Sequence, residues 1–322
     1  MTAARDRRIH VARVLAACAL SLVLIACSTS PGAGPPTSST DADRVTTTTA
    51  VCRVTGEPTT VVYRTIPGVT ADLTALDVHP VAGRCDAPVV VWVHGGGYHV
   101  GDKANGIADK VSLMNGQGWI FVSVNYRLTR PGQPTSAQFP DHYDDVAAAV
   151  AWVHGNIEDF GGDPTRIALL GHSAGADIVS NVVINPAYLR GHDLEPATLS
   201  CAGPLDTEGF DKAAAGTSDP EGDRAQWSSA LGNNPSYVEE TSATKLIGQA
   251  ASIPPIVGVV RGSARRRRIE EEFLEALRRA GVEVTSIDAT SLTHEQVSSQ
   301  IGAPGDDVMT EPLVEFLESC LR

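Results

Sequence analysis

The sequence predicts an α/β fold in which a mainly parallel, doubly wound sheet carries helices on both faces, and three observations lead to it. From residue 87 onward, apolar runs of strand length alternate with helix-length segments. These runs are apolar with few polar positions, as expected of strands buried on both faces in a parallel sheet. Two of them discharge directly into glycine-rich turns, Gly95-Gly96-Gly97 and Gly171-His172-Ser173-Ala174-Gly175, at what would be the carboxyl ends of strands.

Thr59–Thr65 and Leu73–His79 read as antiparallel strands that precede the alternation. Val89–Val93 is the first buried strand, Asn105–Asn115 a helix, and Trp119–Asn125 the second strand. A helix from Asp141 to about Phe160 precedes the run Arg166-Ile-Ala-Leu-Leu, which ends at the Ser173 turn. Residues 174–183 form a small-residue helix. Thr198–Leu205 is the next strand, followed by an irregular stretch expected to form a small cap at about 207–252. Pro254–Arg261 and Val282–Asp288 complete the sheet around a helix at Arg267–Ala280, and Glu311–Leu321 closes the chain. No internal repeat is present.

The 322 residues, 42% hydrophobic and 20% charged, suit one large domain plus extras. The first 26 residues differ in kind. Arg5, Arg7, Arg8 and Arg13 precede an apolar core of about 13 residues, where a membrane span needs roughly 20, so this is a signal peptide. It ends in Leu24-Ile25-Ala26-Cys27, which resembles a bacterial lipobox and makes Cys27 the candidate lipidation site, with plain secretion as the alternative. Residues 27–50, rich in Ser, Thr, Pro and Gly, read as a flexible tether between that anchor and a domain spanning 51–322.

Without its leader the chain keeps 21 basic and 37 acidic residues, a formal charge of −16, which argues against a nucleic-acid partner. Four cysteines remain after Cys18 and Cys27. In an oxidising compartment they suggest two disulfides out of three possible pairings, with Cys52–Cys85 and Cys201–Cys320 as the expected pair. No spacing matches a metal site, a Walker loop or a dinucleotide fingerprint, so neither metal nor cofactor is expected.

Gly171-His172-Ser173-Ala174-Gly175 places Ser173 where a strand turns sharply into a helix, the arrangement that exposes a serine hydroxyl as a nucleophile. The triple glycine at 95–97 leaves backbone N–H groups free of side-chain obstruction, as an oxyanion-binding loop requires. Together with Tyr98, Gly101-Asp102-Lys103, Asn125-Tyr126-Arg127-Leu128 and Phe160-Gly-Gly-Asp-Pro-Thr-Arg166, these motifs resemble the α/β-hydrolase superfamily. The resemblance is to its HGGG/GxSxG carboxylesterase and lipase branch, feruloyl-esterase-like members included, over roughly residues 55–322.

That resemblance implies a small-molecule ester as substrate, Ser173 as nucleophile, and the N–H groups of Gly96, Gly97 and Ala174 as oxyanion hole. It also implies a histidine after the last strand. Of His192 and His294, the two histidines beyond Ser173, only His294 lies there. His94 and His172 read as neighbours that shape the two turns.

The orienting acid of such a family commonly follows the strand at 256–260, where this chain carries Arg261-Gly-Ser-Ala-Arg265-Arg266-Arg267-Arg268. Three substitutes are open: Asp206 at the end of the neighbouring strand, Asp288 in the His294 loop, and Glu270, Glu271 or Glu272 within the helix and away from the strand end. The arginines oppose the helix dipole and read either as solvated or as a site for an acidic group. Without an acid the chain would be a slow esterase or a non-catalytic binding module. An amide hydrolase resembling an arylformamidase passes through the same oxyanion. Phe210, Trp227 and Tyr237 are aromatic residues that would either line a pocket or pack.

Overall fold

A computed structural model describes residues 53–215, 229–231, 235–249 and 252–322. An eight-stranded sheet organises them: β1 (Thr59–Val62), β2 (Ala75–His79), β3 (Ala87–Val93), β4 (Ile120–Val124), β5 (Gly162–His172), β6 (Cys201–Leu205), β7 (Ile256–Val260) and β8 (Val284–Asp288). The spatial order is β1-β2-β4-β3-β5-β6-β7-β8, with β1 and β2 antiparallel at one edge and β3 to β8 all parallel.

The pleat explains the unbroken apolar runs. In β3, Val89, Val91 and Val93 face one hydrophobic core, and Val90 and Trp92 face the other. The first core is covered by helices Asp141–Asn156, Ala174–Ile184 and Ala264–Arg279, through Val146, Val150, Ile178, Val182, Phe273 and Leu277. The second is covered by Ala108–Gly116, His294–Ser299 and Thr310–Cys320, through Met114, Val297, Leu313 and Phe316. Among the described residues, no helix is long and apolar enough to cross a membrane.

Several boundaries differ from the sequence reading for local reasons. The helix expected from Asn105 begins at Ala108, because Gly106 just before it has φ +62°. Strand β5 starts at Gly162, but its pairing with β3 is irregular between Gly162 and Ile167, where the Asp163 carboxylate accepts from the Thr165 N–H and from Arg166 Nε. Pro196–Thr198 is a 3₁₀ turn, which delays β6 to Cys201. The helix after β7 starts at Ala264, capped by the Ser263 hydroxyl accepting from the Arg266 N–H. The arginine run therefore lies in its first turns.

Within the stretch expected to form a cap, the described parts are a 3₁₀ turn at Gly209–Asp211 and short helices at Lys212–Ala215, Pro235–Glu240 and Ala243–Leu246. Phe210 stacks on Phe273 at 4.0 Å and Tyr237 packs on Phe139 at 4.9 Å, so both are packing residues; Trp227 lies outside the described residues. Cys201 at the start of β6 is disulfide-bonded to Cys320 in the last helix. Cys85 is disulfide-bonded as well, but its expected partner Cys52, like the signal peptide, Cys27 and the tether, lies outside the described residues.

Candidate active site

Ser173 occupies the junction between β5 and the helix Ala174–Ile184 with φ 58° and ψ −119°, a backbone conformation costly for any residue with a side chain. Its N–H donates to the Leu205 carbonyl at 3.2 Å, which fastens the turn to the end of β6. The glycine two positions on is required by contact: a Cβ on Gly175 would stand 2.2 Å from the Val93 carbonyl oxygen. The opposing loop is just as tight. Gly96, at φ +112°, would drive a Cβ to 2.0 Å from the Val100 carbonyl oxygen.

His294 opens the helix His294–Ser299, whose cap is reciprocal: the Thr293 hydroxyl accepts from the Gln296 N–H, and the Gln296 side chain accepts from the Thr293 N–H. This helix was not among the sequence expectations, although Thr293-x-x-Gln296 is its written signature. His294 Nε2 lies 2.8 Å from Ser173 Oγ, and His294 Nδ1 lies 2.6 Å from Asp206 Oδ2. Asp206 follows β6 directly, is fully buried and adopts φ 63°, a left-handed conformation that aspartate tolerates better than most residues. In a neutral ring oriented this way, Nδ1–H donates to the carboxylate and Nε2 accepts from the serine hydroxyl.

The structure therefore brings Ser173, His294 and Asp206 into one hydrogen-bonded line. Gly96, Gly97 and Ala174 line the same cavity of about 410 Å³, together with Val100, Thr207 and Glu295. As the first residue of its helix, Ala174 presents one of the N–H groups that no helical carbonyl reaches. Val100 is the more exposed of the two large hydrophobic residues open to solvent among those described, at 64%.

The other candidates stand elsewhere. Asp288 accepts from the Thr290 N–H and hydroxyl, and His192 contacts Asp144 at 3.1 Å. Glu271 and Glu272 are exposed. Glu270 departs from expectation. It is fully buried, accepts from the Arg261 N–H at 2.8 Å and shares a side-chain hydrogen bond with Asp206, because it stands three, four and seven residues before Phe273, Leu274 and Leu277 on the helix's buried face. The arginines are likewise engaged within the molecule. Arg261 and Arg266 bind Asp206, Arg265 binds Glu208 at 3.0 Å, and Arg267 donates to the Gly262 carbonyl.

Burial opposes ionisation of Asp206, but its hydrogen bond from His294 and the charge of Arg266 outweigh that and hold its carboxyl below the usual range. Glu270 goes the other way: burial first, then the adjacent Asp206, push its carboxyl up.

Eight solved esterase structures share this architecture at similar levels. An esterase from Pyrobaculum calidifontis superposes with a TM-score of 0.63 at 20% identity, covering 77% of this chain and 82% of that one. Inhibited esterase B from Lactobacillus rhamnosis gives 0.66 at 15% identity, covering 82% and 85%. The chain has the α/β-hydrolase fold. Residues 75–192 match the model of the carboxylesterase family. Esterase LipQ of Mycobacterium tuberculosis is 35% identical over 121 residues, and para-nitrobenzyl esterase of Bacillus subtilis is 33% identical over 132. Those matches span 37% and 39% of this chain but only 28% and 27% of the relatives' own lengths.

Within this fold, the remaining motifs serve as scaffolding. Asn125 accepts from the Lys103 N–H at 2.6 Å and donates to Asp102, binding two motifs together, while Arg127 grips the buried Asp145 with Nε and Nη2 at 2.7 and 2.8 Å. His172 Nε2 donates to the His294 carbonyl at 2.9 Å with its ring 4.6 Å away; burial, and then the His294 ring, push it down to about 4, so it stays neutral. His94 stacks on Tyr126 at 4.4 Å beneath the glycine loop. His172, Asp206 and His294 gather atoms of metal-ligating type within 4.8 Å, but the hydrogen bonds just described already occupy them.

A second buried cluster went unread in the sequence. Asp177, one turn along the helix that Ser173 opens, accepts from the hydroxyls of Tyr98 and Tyr143 and from Lys212 Nζ, the latter two at 2.8 and 2.5 Å. Lys212 also donates to the carbonyls of Thr241 and Gly209. Burial pushes the Lys212 ammonium down while Asp177 opposes it, and burial followed by the Asp177 charge raises the Tyr98 phenol well above its ordinary value. No periodicity signals such a cluster, because its members come from four separate segments.

Proposed function

We propose that the chain is a serine hydrolase that cleaves carboxylic esters through an acyl-enzyme on Ser173. The observation that carries this reading is the hydrogen-bonded line from Ser173 Oγ through His294 to Asp206. His294 Nε2 takes the hydroxyl proton as Ser173 Oγ attacks the ester carbonyl. Asp206 keeps the other ring nitrogen protonated and stabilises the imidazolium that forms. The negative charge that develops on the carbonyl oxygen falls among the N–H groups of Gly96, Gly97 and Ala174, a contribution worth several kcal/mol of barrier. His294 then returns the proton to the leaving alkoxide, and the same groups activate water to release the acid.

The printed names of the matched relatives, an esterase LipQ and a para-nitrobenzyl esterase, support the same chemistry. The binding-module reading rested on an unfilled acid position, and with Asp206 beside His294 it loses that support. We read the protein as exported and held at the outer membrane face by a lipid on Cys27. The lipobox-like leader and the Cys201–Cys320 disulfide, suited to an oxidising compartment, are the grounds for that reading.

A fluorophosphonate probe with p-nitrophenyl butyrate, methyl ferulate and an aryl formamide as substrates tests the reading. Covalent labelling of Ser173 and ester turnover, both abolished in Ser173→Ala, are the expected results. Folded protein that neither labels nor turns over any ester would sink it, and turnover of the formamide alone would favour the amide hydrolase.

A further inference from the structure

Asp206 reaches the histidine from the end of β6, and the helix after β7 answers it with two side chains one turn apart. Arg266 Nε donates to Asp206 Oδ1 at 2.9 Å, and its second nitrogen approaches the same oxygen. Arg261 donates to Oδ2 at 3.2 Å, the oxygen that also accepts from His294. Glu270 closes the arrangement: Oε1 accepts from Arg266 Nε at 3.2 Å, Oε2 accepts from the Arg261 N–H at 2.8 Å, and its carboxyl shares a hydrogen bond with Asp206. Arg266 thus fixes Oδ1 and leaves Oδ2 aimed at the imidazole, with Arg261 as a second donor to that oxygen.

We propose that Arg266 and Glu270 are positioning residues for Asp206, a clamp that makes a carboxylate on the β6 end serve as the orienting acid of His294. The proposal rests on the hydrolase reading above. Its physical core is geometric. Asp206 is fully buried on a strained left-handed residue, and two of its four lone-pair directions are filled by Arg266 alone. Without that guanidinium the carboxylate turns toward Arg261, and Nδ1 of His294 loses its fixed partner. Glu270 sets the guanidinium plane by holding Nε and the Arg261 backbone together. A protonated Glu270 carboxyl donates to Asp206 where an ionised one would repel it, and its raised affinity for a proton fits that role.

Arg266 also lines the cavity, so a direct grip on substrate is the rival explanation, and the split between kcat and KM separates the two. With p-nitrophenyl butyrate, Arg266→Met is expected to lower kcat by roughly 10² with KM within about twofold, the scale of a 1 Å misplacement. Arg266→Lys, a point charge in place of a fork, recovers only part of the loss. Glu270→Gln, which still donates to Asp206 and accepts from Arg261, stays within about threefold of the parent, while Glu270→Ala loses about tenfold in kcat. Two-dimensional NMR of the His294 Nδ1 proton follows the same order: its downfield resonance persists in Glu270→Gln and broadens in Arg266→Met.

A rise in KM with kcat unchanged in Arg266→Met overturns the clamp in favour of substrate binding, and unchanged kcat in both Arg266→Met and Glu270→Ala overturns it outright. If Arg266→Met fails to fold, Arg266→Lys and Glu270→Gln carry the decision: full activity in the first, or a tenfold loss in the second, rejects it. Failure of the underlying reading looks different, because then Ser173→Ala would match the parent on every ester.

Discussion

Two buried aspartates sit behind the two halves of the site, and they are buried differently. Asp206, behind the histidine, shares its pocket with a second carboxyl and two guanidinium groups, Glu270, Arg261 and Arg266. Asp177, behind the glycine loop, faces one ammonium, Lys212, and neutral donors from Tyr98, Tyr143 and Asn181, with the ion pair sealed at 0% and 1% exposure. The first cluster holds a reserve acid in Glu270: neutralising Asp206 removes the neighbouring charge that helps push its carboxyl up, burial remaining the larger cause, and Arg266 keeps Glu270 as a partner. The second has no such reserve among the described residues. On the hydrolase reading, damage to Asp206 therefore falls on chemistry, and damage to Asp177 falls on the fold.

The largest test of this contrast is Asp206→Asn. On the hydrolase reading kcat falls on the order of 10⁴-fold, as when a serine protease loses its orienting acid, while the urea midpoint drops less than it does for the other aspartate. Steady-state kinetics and urea titration of the same sample check both halves. Unfolding comparable to that of Asp177→Asn would remove the idea of a reserve acid.

Asp177→Asn comes next, at about 3–5 kcal/mol of unfolding free energy, because it leaves the Lys212 charge buried without a counter-ion. Replacing both members, as Asp177→Asn with Lys212→Met, is expected to restore part of that loss. A double variant no more stable than the single one would show that the ion pair is not the cause.

The third test uses pH. The Glu270 carboxyl keeps its proton in the folded chain to about 9, whereas the unfolded chain releases it near the ordinary carboxyl value. The folded state then binds more protons across that window. This contribution is complete below the unfolded value and is lost as pH rises toward the folded one. Glu270→Gln removes it, so urea midpoints of parent and variant should diverge in the variant's favour from about pH 5 to 9. A constant difference across that range would mean that Glu270 is ionised in the folded protein.

The smallest effect belongs to Tyr98→Phe, which deletes one hydroxyl bond to Asp177 and costs about 1 kcal/mol. Because Tyr98 adjoins the glycine loop, a several-fold loss in kcat at constant KM accompanies it, measured on the same ester. A loss confined to stability would separate that bond from catalysis.

Sheet and helices were legible because burial on both faces writes itself as unbroken apolar runs: Val89–Val93 and Ile120–Val124 needed no tertiary context. Ser173 was legible from the turn written as Gly171-x-Ser173-x-Gly175, and His294 because the family resemblance puts a histidine after the last strand. Asp206 stood among several acids, because a carboxylate at a strand end carries no local signature and only the fold brings it to the histidine. Glu270 was set aside as lying within the helix and away from the strand end, yet it belongs to the apolar stripe with Phe273, Leu274 and Leu277 that faces the sheet. Asp177 and Lys212 looked like ordinary helix polarity, 35 residues apart with nothing in the spacing to join them.

The Cys201–Cys320 bond closes a loop with a sequence separation of 119, and both Asp206 and His294 lie inside it while Ser173 lies outside. Topologically, Asp206 and His294 belong to one covalent ring, and Ser173 follows the strand that pairs with the ring's first strand. A protease that cuts once anywhere inside the ring still leaves a single connected molecule. A cut between Ser173 and Cys201 instead divides it into two, one fragment bearing Ser173 and the other Asp206 and His294, with β5 still paired to β6. Reduction after a single cut between Asp206 and His294 is the condition under which these two residues can first part company.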